Sequence, residues 1–184
     1  MPNIAPEAGP ASWPAGEKTI GVAGVAPFAT LDFLRALYSL CEAEKDWHFP
    51  RVVADINTKL PSRGRHFDLG ERDPSPFIRA TIEELRDAGA GVVVVPCNTA
   101  HLLYDRWVSS DRVVVPNLVE VAADAVLREG ARRVLVLGSA GVMDRGLYRE
   151  PLARRGIATV TCTAQEVAMV SSWIGEVKRH GRLG

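Results

Sequence analysis

Six consecutive residues, Pro96-Cys97-Asn98-Thr99-Ala100-His101, put a thiol, a carboxamide, a hydroxyl and an imidazole into one short stretch. They follow the apolar run Gly91-Val92-Val93-Val94-Val95, preceded by Gly89. A short β-branched run of this kind reads as a buried parallel strand. Open α/β sheets bind their ligands just beyond the carboxyl ends of such strands, where Cys97 would stand. A helix starting near Asn98 would turn its free amides toward the thiol and toward any bound anion, and would favour the thiolate. Free cysteine is more often inert packing. The polar neighbours favour a reactive thiolate, because they have no packing reason to gather after a strand.

Other residues offer further chemistry. Between residues 56 and 73, Asn57-Thr58-Lys59-Leu60-Pro61-Ser62-Arg63-Gly64-Arg65-His66 is polar and basic. It reads either as a long solvated loop or, given its length, as a functional one. Lys59, Arg63 and Arg65 are suited to a carboxylate or phosphate. His101 is placed to act as a base or to orient Cys97, or simply to bond a loop. Gly138-Ser139-Ala140-Gly141 lies between a strand and a helix and could cradle phosphate. It is neither G-x-G-x-x-G nor a P-loop, so a tight turn is the better reading. Cys41 and Cys162 read as structural. None of Lys18, Lys45, Lys59 or Lys178 lies in a recognisable Schiff-base context, so no pyridoxal cofactor is expected.

The elements that must position these groups alternate. Strands are expected at residues 19–25, 51–56, 91–96, 112–115, 133–137 and 158–161. Helices are expected at 28–43, 74–88, 99–107, 118–129, 143–155 and 164–179. Asp73 can cap a helix that has Pro74 in its first turn, and Gly89 can end it. Asn117 with Glu120 and Thr163 with Glu166 resemble capping boxes. Gly130 and Gly156 fit helix C-termini. Pro151 either kinks its segment or belongs to a second helix starting after Tyr148. Residues 1–17, rich in Pro, Ala and Gly, read as a disordered or loosely docked tail. This alternation predicts an α/β fold of parallel sheets flanked by helices.

Composition narrows the classes. The 184 residues fit one domain or two small ones. Lys plus Arg number 22 and Asp plus Glu 22, so no electrostatic case exists for nucleic acid or a membrane surface. No apolar run approaches the roughly 18 residues of a membrane span, and no signal peptide is expected. Three cysteines without metal-type spacing suggest a reducing compartment, hence a cytoplasmic protein, and no metal.

Taken together, the chain resembles the aspartate/glutamate/hydantoin racemase superfamily, most closely its aspartate racemase branch. Pro96-Cys97-Asn98-Thr99-Ala100-His101 is the family's first cysteine motif without change. Gly21 through Thr30 is similar to its opening Gly-rich turn ending in Pro-x-Ala-Thr. The stretch from Asn57 to Arg63 looks like its Pro-x-Arg segment. Gly138-Ser139-Ala140-Gly141 with Gly146-Leu147-Tyr148 resembles the opening of its second half. The resemblance covers residues 18–178. It implies two similar lobes, residues 18–112 with Cys97 and 113–184, the second incomplete relative to the family. It also implies inversion of an amino acid at Cα without a cofactor, one thiolate removing the proton and a second thiol returning one to the opposite face. Asn98 and Thr99 would hold the substrate carboxylate beside Cys97, and Arg63 would add a charge-assisted contact. Asn57, Thr58 and Ser139 would complete the substrate site, with Lys59 and His101 in support.

The family's second motif, Gly-Cys-Thr-Glu, is absent, and Thr161-Cys162-Thr163-Ala164 does not replace it. Val25-Ala26 and Val142 also depart from the family pattern. The substrate class expected is therefore a small amino or carboxylic acid, with racemisation the leading reaction. A one-thiol lyase or decarboxylase, and a catalytically inactive small-acid binding module, stand as alternatives. Apolar surface left open by an incomplete second lobe would favour a homo-oligomer such as a dimer.

Overall fold

The computed structural model describes residues 16–108 and 113–182. Most of the expected tail, at residues 1–15, and the start of the expected strand at 112 lie outside the described residues. The first sheet has the order β2-β1-β3, all parallel, from β1 (Thr19–Gly24), β2 (Val52–Ile56) and β3 (Ala90–Val94). Its central strand is the most deeply buried, as a strand covered on both faces must be. Val114 adds a single parallel bridge to Val92 instead of a full strand. The same segment packs on this first sheet unit. Val113 and Val115 are part of its core.

Helices α1 (Pro27–Ser39) and α3 (Ser75–Asp87) follow β1 and precede β3. The Pro-x-Ala-Thr sequence has a structural explanation. Thr30 is fully buried, and its hydroxyl donates to the Ala26 carbonyl at 2.7 Å. A Cβ on Gly24 would come within 2.7 Å of that hydroxyl oxygen, so this strand end requires glycine. The α3 N-terminus is capped as expected, the Ser75 amide donating to Asp73 Oδ1 at 2.8 Å. Ile78, Ile82 and Leu85 present its apolar face to the sheet.

Three expectations need correction here. The polar stretch after β2 is not all loop. Ser62 accepts from the Arg65 amide and starts helix α2 (Arg63–Leu69), which ends at Gly70 with φ of +68°. The helix expected at 99–107 is broken into α4 (Asn98–His101) and α5 (Tyr104–Trp107). The cause is Trp107, fully buried, whose indole nitrogen donates to the Ala100 carbonyl at 2.9 Å. That carbonyl also accepts from the Leu103 amide, so a regular i to i+4 ladder does not run through it. Helix α1 also stops short of its expected end, which leaves Cys41 beyond its C-terminus with its thiol donating to the Leu37 carbonyl.

After α6 (Leu118–Arg128) the chain builds a second sheet of two parallel strands, β4 (Arg133–Leu135) and β5 (Ala158–Val160). Between them lie α7 (Ala140–Asp144) and α8 (Arg149–Ala153), and α9 (Ala164–His180) follows. The single helix expected at 143–155 is thus two. The turn between them uses Gly146 at φ of +62°, and Tyr148 precedes the second. Asn117 caps α6 through the Val119 and Glu120 amides, and Thr163 with Glu166 forms a full capping box on α9. Each such cap contributes about 1 kcal/mol.

Candidate active site

The site is assembled at the carboxyl ends of the first sheet. The strand order places the end of β1 between the ends of β2 and β3, so Asn57 and Cys97 follow strands roughly 10 Å apart. Helices α2, α4 and α7 touch one another beyond these ends. This junction brings Arg63, Asn98, Thr99 and Ser139 to one region although they span much of the chain. Ser139 stands at the N-cap of α7, and its carbonyl accepts from the Val142 and Met143 amides.

Cys97 is a free thiol, half-buried, at the N-cap of α4 in extended backbone. Its side chain packs on the core that includes Val25, Leu60, Val95 and Ala100. A thiol in this place is held by the sheet and still open on one side.

Arg63 reaches across from α2 to the β1 loop. Nη2 donates to the Val25 carbonyl at 2.7 Å and Nη1 to the Pro61 carbonyl at 3.3 Å. Its Nε is buried without a partner. Carbonyls fix the guanidinium but do not neutralise it, and no carboxylate pairs with it among the described residues. A fixed cation with a spare buried donor is what an incoming carboxylate needs. The neighbouring cation Arg65 is spent differently, in a bidentate pair with Glu71. Asn57 Oδ1 accepts from the Lys59 amide at 3.1 Å, which shapes the loop. Thr58 and Lys59 are exposed there.

His101 is 5% exposed, and both ring nitrogens are engaged by backbone. Nε2 accepts from the Leu118 amide at 3.1 Å, so the proton resides on Nδ1, which lies 2.9 Å from the Cys97 carbonyl. Burial pushes its pKa below the ordinary value, against the pull of the Cys97 and Pro116 carbonyls. The ring stacks on Tyr104 and meets Trp107 edge-on. Of the roles open to it in the sequence, His101 is a neutral tie that orients the Cys97 backbone and joins it to the start of α6.

Two contacts invisible in the sequence cross from the second sheet's elements to this site. The Tyr148 hydroxyl donates to Asn98 Oδ1 at 2.5 Å. Arg145 donates to the Phe67 carbonyl at 3.0 Å and lies over the Phe67 ring. Only the Gly-Leu-Tyr sequence gave any signal for Tyr148, and none marked Arg145. Cys162 follows β5, on the second sheet. It lines a cavity of about 100 Å³ together with Met143, Tyr148, Thr161 and Val167.

Comparison with known proteins bears on the family and the fold. A family model described as Asp/Glu/hydantoin racemase matches residues 22–182. Among solved structures, aspartate racemase of Picrophilus torridus is 26% identical with a TM-score of 0.82, over 89% of this chain and 69% of that one. An aspartate racemase homologue from Pyrococcus horikoshii is 25% identical with a TM-score of 0.71, over 90% and 73%. A candidate Asp/Glu racemase from Yersinia pestis, at 21% identity and a TM-score of 0.72, shares the fold over 91% and 74%. No helix among the described residues is long and apolar enough to cross a membrane.

Proposed function

The chain belongs to the Asp/Glu/hydantoin racemase family, and from that premise we propose that it moves a proton at the α-carbon of an aspartate- or glutamate-type acid, with the Cys97 thiolate as acid/base and no cofactor. The observation that carries this reading is the pairing of two features at neighbouring strand ends. One is a half-buried free thiol, and the other is an arginine fixed by the Val25 carbonyl with no carboxylate partner among the described residues.

The α-proton of an amino acid is weakly acidic, so a thiolate alone does not suffice. The developing negative charge spreads into the carboxylate, where fixed donors stabilise it more than the ground state. Arg63 is such a donor, and Asn98 and Thr99 stand next to the thiol for the same carboxylate. Asn57, Thr58 and Ser139 border the space, with Lys59 at its rim. Partial burial of the thiol keeps water from competing for the proton. The same proposal places the enzyme in the cytoplasm, which its three cysteines without a disulfide framework favour, and takes it to act as a homo-oligomer.

A second reading has its own observation. Cys162 lines a cavity on the second sheet's side of Tyr148, and the Cys41 thiol donates to the Leu37 carbonyl at the end of α1. With one thiol at the candidate site, a one-base reaction fits as well: exchange without inversion, decarboxylation or elimination.

Proton NMR of L- and D-aspartate and of L- and D-glutamate in D₂O separates these. Loss of the α-proton signal together with the opposite enantiomer, absent in Cys97→Ser, is expected for racemisation. Exchange with retention, or a product of changed mass, establishes the one-thiol reaction. Exchange that persists in Cys97→Ser would remove Cys97 from the mechanism. Loss of a positioned acid/base should slow exchange by about 10²–10⁴-fold.

A further inference from the structure

Tyr148 is anchored at one end and engaged at the other. It packs against the second sheet unit's core of Ala123, Leu152 and Ile157. Its hydroxyl reaches 2.5 Å from Oδ1 of Asn98, 50 residues earlier in the chain and next to Cys97. The Asn98 atom facing the hydroxyl is the carboxamide oxygen, which accepts the phenolic proton. Burial raises the phenol's pKa, and the group stays protonated and able to donate.

A carboxamide has two faces of opposite polarity, and a terminal amide can present either. Facing a carboxylate, the oxygen repels and the NH₂ attracts. Asn98 is exposed, so packing alone does not choose between them. We propose that Tyr148 is a positioning residue that occupies the Asn98 oxygen, leaving the Asn98 NH₂ as the group offered to a substrate carboxylate beside Cys97. The second sheet unit thereby sets the polarity of a side chain in the first. This inference rests on the proposed acid-binding reading of the site and adds to it a residue that never touches the substrate.

The test uses binding as well as turnover. L-Aspartate and succinate are titrated by calorimetry against the unaltered chain, Tyr148→Phe, Asn98→Ala and the double variant, with KM and kcat for exchange read alongside. Tyr148→Phe keeps the ring in its core, and a thermal unfolding scan checks that the fold is retained. The expected result is a roughly ten-fold weaker affinity and raised KM in Tyr148→Phe, with kcat changed much less. Tyr148→Phe should add nothing further to Asn98→Ala, because the residue it positions is already gone. Unchanged affinity in Tyr148→Phe, or losses that simply add in the double variant, would overturn the role of Tyr148 while leaving the racemase reading intact. If the unaltered chain binds neither acid and exchanges no α-proton of aspartate or glutamate, the acid-site reading falls and this inference with it.

Discussion

The two sheet units are built to different standards. Among the described residues the first has three strands and a core of fourteen buried residues, from Ala23 to Val115, with β1 buried along most of its length. The second has two strands and a core of three, Ala123, Leu152 and Ile157, and Leu135 of β4 is half exposed. A two-stranded parallel sheet with so little buried apolar surface gains its order from what it leans on. Here that support is ionic and cross-unit. Arg154 and Arg155 of α8 and its end pair with Glu120 and Asp124 of α6. Tyr148 and Arg145 reach to Asn98 and Phe67. The candidate thiol sits on the unit with the larger core, and the unit with the smaller core supplies groups that bond its surroundings. Rigid placement of the reacting group and adjustable placement of its supports follow from that division.

The comparison breaks if the two cores respond alike to truncation. Trp107→Ala should lower stability by about 3–5 kcal/mol, since it removes a fully buried ring and one of the two hydrogen bonds that the Ala100 carbonyl accepts. Leu152→Ala should cost about 2–3 kcal/mol at most, because its small, partly open surroundings can collapse on the vacancy. Urea unfolding monitored by circular dichroism measures both. A Leu152→Ala loss equal to that of Trp107→Ala would mean that the second core carries as much as the first.

His101 provides a pH-dependent test of the tie between Cys97 and α6. Its pKa is lower folded than unfolded, so below its ordinary value of 6.5 the unfolded chain takes up protons more readily. Its stabilising contribution is therefore complete above that value and declines as the pH falls through and below it. The thermal midpoint should drop between about pH 7 and pH 5 in the unaltered chain, and this limb should flatten in His101→Asn. Asp73, held below its ordinary 3.8 by the Ser75 amide, contributes a loss only in more acidic solution, so the two limbs stay separate. A midpoint flat down to pH 5 would contradict the neutral, doubly bonded ring.

A smaller effect sharpens the ionic side. Arg155→Met should lower the thermal midpoint modestly at low salt, with the difference shrinking in 0.5–1 M salt (a few ångströms of screening length). Arg86→Met, whose partner Asp87 is the next residue, should have a smaller salt-sensitive effect. Equal salt dependence in both would argue that the α6–α8 network does nothing particular for the second unit.

Much of the architecture follows from local pattern. The β-branched runs became β1, β2 and β3, and the caps at Asp73, Asn117 and Thr163 form as their residue types require. Cys97 stands at a strand end because five apolar residues before it demand burial. Arg63 was legible as an anion-binding candidate, although its bond to Val25 was not. Helix α2 was hidden because a polar, basic stretch with few apolar residues has no strong helical period, and its start depends on the single Ser62 cap.

The amino-acid sequence by itself determined the alternation of strands and helices, the thiol at the end of one strand and the types of polar group near it. These depend on periods of two and 3.6 residues and on side chains reaching only their own backbone. Tertiary structure alone decided that Trp107 breaks a helix, that His101 is a neutral backbone tie and that Tyr148 holds Asn98. Each of those depends on a donor meeting an acceptor brought near by packing, from seven residues away in the first case to fifty in the last. A buried polar group must find a partner, and sequence pattern specifies that need without specifying which partner the fold delivers.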